Sequence, residues 1–379
     1  MSAHAPLAPS SASRWGPRGC PGSAAMERRY PEDGDSEASR EGTAAHHYLT
    51  ETLLERPVAV GDLAPNGFPI NAEMVDAAQA YLTDVRDTWA ASGAGAEIQV
   101  EKRVTMAQSV HCDNWGTPDT YLLDTAGRAL HVWDYKYGHR YVDAYSNWQM
   151  IDYAIGALEG AGITDWREWR ITLTIAQPRN YAPEGSLREW YLSGAALRDR
   201  AEELRVAAVA ASQPDAPLQT GPHCRDCNAA HACPALARVA MLAVDLSYRQ
   251  TAVDMPPEAV GLEMTILAAG AARIKARQDA LEAHGTGLIR RGERVPGWGI
   301  THVKSRPRWS LPTADVVAIG RMLHGVDLAK PPEAVTPTQA RKLGVSDDVI
   351  AAYTETPAGA AKLAPVDDST AARIFGSAK

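Results

Sequence analysis

Apolar residues recur at helical spacing over two stretches near the start of the chain. Asp35–Glu55 has acids early, Leu49, Leu53 and Leu54 at helical spacing, and Pro57 just beyond its end. Asn71–Ala91 gathers Met74, Val75, Ala78, Tyr81, Leu82 and Val85 on one side. The period then drops to two. Glu97–Met106, Gly116–Leu123 and Ala129–Tyr135 are β-rich, divided by the turn residues Asp113-Asn114 and Thr125-Ala126-Gly127. A helix follows over Ser146–Leu158, then strands over Trp169–Gln177 and Leu187–Leu192, and an Ala-rich helix over Ala195–Ala211. This order predicts an α/β core with a mixed central sheet flanked by helices.

The flanks read differently. Residues 1–12 are small and Pro-rich, which predicts a mobile start, and Ser13–Met26 reads as a short helix or turn followed by loop. Leu218–Pro234 is Cys-rich, and Pro256–His284 reads as one long helix. Short strands are expected over Gly285–Ser310, then small helices between Pro-rich turns. The expected organisation is a mobile segment (1–12), a core closed by the Cys-rich segment (13–240) and a mainly helical C-terminal extension (241–379).

Composition narrows the class. The 379 residues are 45% hydrophobic and 22% charged, as in an ordinary globular protein, and no apolar run approaches the ~18 residues of a membrane helix. No basic-then-apolar signal opens the sequence, so a cytoplasmic protein with no membrane partner is expected. The net charge of −8 is uneven: Arg273–Arg308 holds nine Lys/Arg against three acids. With Trp298 and Trp309 that tract can neutralise phosphates and stack on bases, or form a solvated helix face and a small hairpin.

The candidate chemistry lies on the central strands. Gly116-Thr117-Pro118-Asp119 heads one strand, and Asp134-Tyr135-Lys136 ends the next, with Asp134 and Lys136 on one face. Two carboxylates and a lysine at one point suit a hard divalent cation and a nearby water. Gln149 and Tyr153, four apart on the next helix, share a face. Upstream, Gly42-Thr43-Ala44-Ala45-His46 puts an imidazole on a helix with an apolar opposite face; the adjoining His47 shows how little residue type proves alone. Among five cysteines, Cys224-x2-Cys227-x5-Cys233 reads as metal or cluster ligands, and Cys112 as a buried structural thiol. A local zinc site could use His223 or His231 as its fourth ligand.

Taken in order, these motifs resemble the RecB-like branch of the PD-(D/E)XK nucleases, within it the iron–sulfur exonucleases related to CRISPR-associated and AddB-type enzymes, and also uncharacterised phage and prophage proteins placed in that branch. The match covers about Ser13–Leu236. The resemblance implies a restriction-endonuclease-like core and a DNA exonuclease dependent on Mg²⁺ or Mn²⁺, in phage or prokaryotic DNA recombination or processing. It implies that His46, Asp119, Asp134 and the Tyr135 carbonyl hold the metal, that Lys136 polarises the attacking water, and that Gln149 and Tyr153 orient Lys136 or the substrate backbone. A first-strand acid is also implied; Glu101 fits better than Glu97. Cys20, Cys224, Cys227 and Cys233 would bind a [4Fe–4S] cluster that fastens the two ends of the core. Two other readings remain: a non-catalytic DNA-binding scaffold, and the nuclease subunit of a helicase complex. No phosphate-binding G-x-x-x-x-G-K-[ST] loop is present, so any motor belongs to a partner.

Overall fold

In a computed structural model of the chain, the residues described are 5–31, 37–180, 182, 184–247, 256–300 and 322. The chain divides into two compact units, Met1–Thr301 and His302–Lys379. All of the second unit except Met322 lies outside the described residues. None of the described helices is long and apolar enough to cross a membrane.

The elements of the first unit are α1 (Ala12–Trp15), α2 (Ser23–Arg29), α3 (Glu37–Leu53), α4 (Ala72–Ala91), β1 (Glu97–Val100), β2 (Val104–Thr105), β3 (Trp115–Gly116), β4 (Thr120–Asp124) and β5 (Ala129–Tyr135). Then come α5 (Trp148–Gly160), β6 (Arg170–Ala176), β7 (Leu187–Ser193), α6 (Gly194–Ala211), α7 (Pro234–Ser247) and α8 (Pro257–Arg290), with short 3-10 turns at Pro9–Ser11, Pro222–Asp226 and Ala230–Ala232.

Five strands form one mixed sheet in the order β1-β4-β5-β6-β7. β4 and β5 make an antiparallel hairpin, β5 and β6 run parallel through the α5 crossover, and β7 returns antiparallel. Alternation along β5 divides the core between the two faces of the sheet. Leu130 and Val132 face Ile151, Ala154 and Ile155 of α5 and Leu197 and Leu204 of α6. Trp133 and Tyr135 face Tyr48 and Leu49 of α3 and Met74, Tyr81, Leu82 and Val85 of α4. Because both faces are covered, β4 and β5 carry nearly continuous buried runs.

Four details differ from the sequence expectation. The strand expected over Glu97–Met106 breaks at Glu101, whose φ of 48° is left-handed, so β2 leaves the sheet and pairs with β3. Residues 5–12 are packed where a mobile start is expected: Leu7 and Trp15 are buried, the Leu7 amide donates to the Asp113 carbonyl (3.2 Å), and the Trp15 indole donates to that of Ala8 (3.0 Å). The short strands expected over Gly285–Ser310 are not present among its described residues: α8 runs on through Arg290, and 291–300 is turn and coil. Cys112 is exposed rather than buried, because the turn between β2 and β3 carries it out to solvent beside His111.

Candidate active site

β5 sits between an antiparallel and a parallel neighbour, and its carboxyl end is where the chemistry collects. Crevices at such switch points are common ligand sites, because loops and helices leave in different directions there. Asp119 precedes β4, and its carboxylate accepts the Tyr135 amide proton (2.6 Å), which ties the head of β4 to the end of β5. Asp134 and Lys136 project toward α5, as the two-residue period requires. Asn147 caps α5 by accepting from the amides of Gln149 (3.1 Å) and Met150 (3.3 Å), which sets Gln149 in the first turn.

The Gln149 side chain then bridges the pair below it. Its amide donates to Asp134 Oδ1 (2.9 Å), its carbonyl accepts from Lys136 Nζ (3.1 Å), and Tyr153 Oη lies 3.5 Å from Nε2. Lys136 Nζ is 2.8 Å from Asp134 Oδ2. The Lys136 ammonium is the partner of the otherwise unpaired, buried Asp134 Oδ2. Gly116 is required by its neighbours: a Cβ there would meet Pro9 Cγ at 2.8 Å and Tyr153 Cε1 at 3.0 Å.

α3 approaches from the other side. Ala44, Ala45, Tyr48 and Leu49 bury one stripe, and His46 emerges at its edge. His46 Nδ1 lies 3.3 Å from Asp119 Oδ1, with its ring edge-on to Tyr135 (centroids 5.4 Å). One turn on, Thr50 donates to Glu101 Oε1 (3.5 Å). His46, Glu101 and Asp119 each offer a ligand atom within 4.8 Å of the others. Of the two candidate acids Glu101 is the one near His46 and Asp119, and the turn at Glu101 that breaks the strand brings it there. Glu97 is four residues away, opposite Leu123 on the exposed start of β1.

Charge balance accounts for the ionisation here. Burial alone would lower the His46 pKa, but the Asp119 carboxylate overrides it and the net shift is upward. Burial likewise opposes the charged form of Asp119, yet His46 and the Tyr135 amide leave its pKa lowered. Burial, opposed by Lys136, raises Asp134. Asp134 in turn raises Lys136 against burial. Glu101 is pushed up to about 7, by desolvation and then by the Asp119 charge. Three carboxylates, Glu101, Asp119 and Asp134, gathered near one imidazole are ligands that a divalent ion could use.

His46, Tyr135 and Lys136 line a cleft with Glu101, Arg140 and Gln177. Sequence reasoning missed Arg140 and Gln177. The Gln177 amide donates to the carbonyls of Gly138 (2.7 Å) and Arg140, while its own carbonyl accepts from Val142 N (3.0 Å) and Arg188 (2.6 Å). Gln177 thus fixes the loop after Lys136; the signal was a buried polar residue ending an apolar strand.

The four cysteines Cys20, Cys224, Cys227 and Cys233 line a second cavity, walled by Met26, Leu218 and Leu236. The Gln219 amide donates to Cys20 Sγ (3.2 Å) and the Gly221 amide to Cys224 Sγ (3.3 Å). Glu27, paired with Arg14 (2.8 Å), fastens the N-terminal segment to the cysteine segment by accepting the Asn228 amide (3.0 Å). Gly22 lets them approach, since a Cβ there would lie 2.6 Å from Leu218 Cδ2 and 2.8 Å from the Ala216 carbonyl. Burial pushes the Cys227 thiol up to about 12, so its thiolate needs a compensating cation. The donor set suits an iron–sulfur cluster or zinc. His223 stands beside Cys20, whose hydrogen bond raises its pKa, whereas His231 stacks on His284 (4.3 Å). From the basic tract, Arg277 donates to the Ala230 and His231 carbonyls and so braces the cysteine segment. Residues 301–309 of that tract lie outside the described residues. A family model described as a protein of unknown function (DUF2800) matches residues 4–371.

Proposed function

The chain belongs to the DUF2800 family, and we propose that this member is a metal-dependent deoxyribonuclease, an exonuclease on a PD-(D/E)XK core. The observation that carries the reading is the convergence of His46, Asp119, Asp134, Lys136 and Gln149, from four separate elements, at the carboxyl end of β5. Asp119, Asp134 and His46, with Glu101 and the Tyr135 carbonyl, would hold Mg²⁺ or Mn²⁺. Such an ion, when bound, supplies positive charge where negative charge builds on the scissile phosphate.

The protein's own groups do the rest. Lys136 is an ammonium at neutral pH, because Asp134 raises its pKa. It therefore donates to a phosphate oxygen or the attacking water and stabilises the developing charge. Gln149 keeps that ammonium on the α5 face, and Asp119 holds the Tyr135 amide so that β5 ends in register with the site. The four cysteines would hold a [4Fe–4S] cluster, with zinc on three thiols and His223 as the alternative. DNA, as single strands or duplex ends, would be the partner.

The test is digestion of end-labelled single- and double-stranded DNA with Mg²⁺ or Mn²⁺, against an EDTA control. Metal-dependent shortening from an end is the expected result. No cleavage of either substrate with either ion would overturn the reading.

A further inference from the structure

At the other end of β5, on the opposite face of the sheet, lies a second cluster with no place in the reading above. The register fixes who meets there. His131 on β5 is opposite Thr172 on β6, which is opposite Tyr191 on β7; one step along, Trp133, Thr174 and Glu189 form the next row. All six side chains point to the face that α4 covers, since paired residues share a face. From α4, Asp84 reaches the same place and accepts the Trp133 indole proton (2.7 Å).

Asp84, His131 and Glu189 each offer one ligand atom within 4.8 Å of the others. We propose that these three side chains form a second metal site, for a first-row divalent ion such as Zn²⁺ or Mn²⁺, that pins α4 to β5 and the edge strand β7.

Three further observations support it. His131 Nε2 is engaged by the buried Thr174 hydroxyl (2.7 Å), and the ring stacks on Trp133 (centroids 3.7 Å). One nitrogen and the ring plane are thereby fixed, the arrangement that orients a ligating imidazole. Burial lowers the His131 pKa to about 3, so the ring is neutral and can offer a lone pair. Burial and the nearby Glu189 charge raise the Asp84 pKa, against the Trp133 hydrogen bond, so the two carboxylates stand close together. Finally, a cleft between Thr88 of α4 and Tyr191 of β7 reaches His131 from solvent, and Glu189 is itself exposed at the strand edge. One imidazole and two carboxylates is a mixed donor set that suits zinc or manganese better than magnesium or calcium.

The test counts bound Mn²⁺ by electron paramagnetic resonance on the full chain. It compares wild type with Asp84→Asn/Glu189→Gln, a change that keeps volume, keeps the Asp84 acceptor for Trp133 and leaves His131 in place. The double variant should bind one Mn²⁺ fewer per chain, and added Zn²⁺ should displace one Mn²⁺ fewer from it than from wild type. Asp119→Asn, which alters the other cluster, should keep that Zn²⁺-displaceable ion. An unchanged Mn²⁺ count in the folded double variant, or no Zn²⁺-displaceable ion in wild type, would overturn the proposal. If Asp84→Asn/Glu189→Gln fails to fold, Glu189→Gln alone, at an exposed strand edge, gives the same reading through a loss of Mn²⁺ affinity of at least tenfold. Wild-type affinity in that variant would overturn it.

Discussion

Replacing Gln149 by Leu separates positioning from binding. The side chain is half-buried and makes two hydrogen bonds to charged partners, Asp134 Oδ1 at 2.9 Å and Lys136 Nζ at 3.1 Å. Each such bond contributes roughly 1.5–3 kcal/mol when no water can replace it. Asp134 and Lys136 keep each other as partners and Lys136 is partly exposed, so the net loss of stability should be nearer ~1 kcal/mol, a fall in Tm of roughly 2–4 °C for a unit of this size. Catalysis should suffer more than folding. Without the Gln149 carbonyl, Lys136 is free to leave the α5 face, and loss of a neighbouring orienting group typically lowers activity ~10–100-fold. That is roughly 1.4–2.8 kcal/mol in the barrier. In steady-state cleavage of a short labelled DNA at saturating Mg²⁺, the decline should appear in kcat, with KM changed less than about threefold. A Gln149→Leu protein with wild-type kcat would refute the argument that this amide holds Lys136 in place.

Other expectations follow from the same geometry. Cys20→Ser should bleach an anaerobically purified brown protein and reduce its iron content, because Cys20 lines the same cavity as Cys224, Cys227 and Cys233; a colourless wild type with one zinc unaffected by the change would contradict the cluster. Glu101, with a folded pKa of about 7, binds a proton between pH 4.5 and 7 that it releases when unfolded. Stability of the metal-free protein should therefore fall as pH rises through that window, and Mn²⁺ affinity should fall as pH drops below about 7. Glu101→Gln should flatten both profiles in denaturation and titration experiments. Gly116→Ala should cost roughly 1–3 kcal/mol by forcing Pro9 or Tyr153 aside, read as a lower urea midpoint.

Much of this arrangement was legible in the order of residues. The β4–β5 hairpin announced itself by alternation and by Thr125-Ala126-Gly127, and the hairpin brings Asp119 beside Tyr135. Gln149 and Tyr153 needed only helical spacing to share a face. What stayed hidden depends on partners distant in the chain. Leu7 and Trp15 look like isolated apolar residues in a Pro-rich start until Asp113 and the core are beside them. The left-handed turn at Glu101 has no glycine to signal it, so the strand seemed continuous. Asp84, His131 and Glu189 come from three elements and form no motif at all; the strand register and the packing of α4 on Trp133 bring them together. α7 was missed because the Cys-rich segment and the long helix after it dominated that stretch.

The central claim is that the cluster at the end of β5 hydrolyses phosphodiester bonds with Lys136 as a fixed positive charge. The most direct measurement is single-turnover cleavage by Lys136→Ala at saturating Mn²⁺ and DNA, with Mn²⁺ binding measured on the same preparation. Since lysine is no ligand, Mn²⁺ affinity should stay within a few-fold of wild type, while cleavage should fall by roughly 10²–10³-fold, as when one preorganised donor to the transition state is lost. Cleavage at the wild-type rate by this variant would contradict the account.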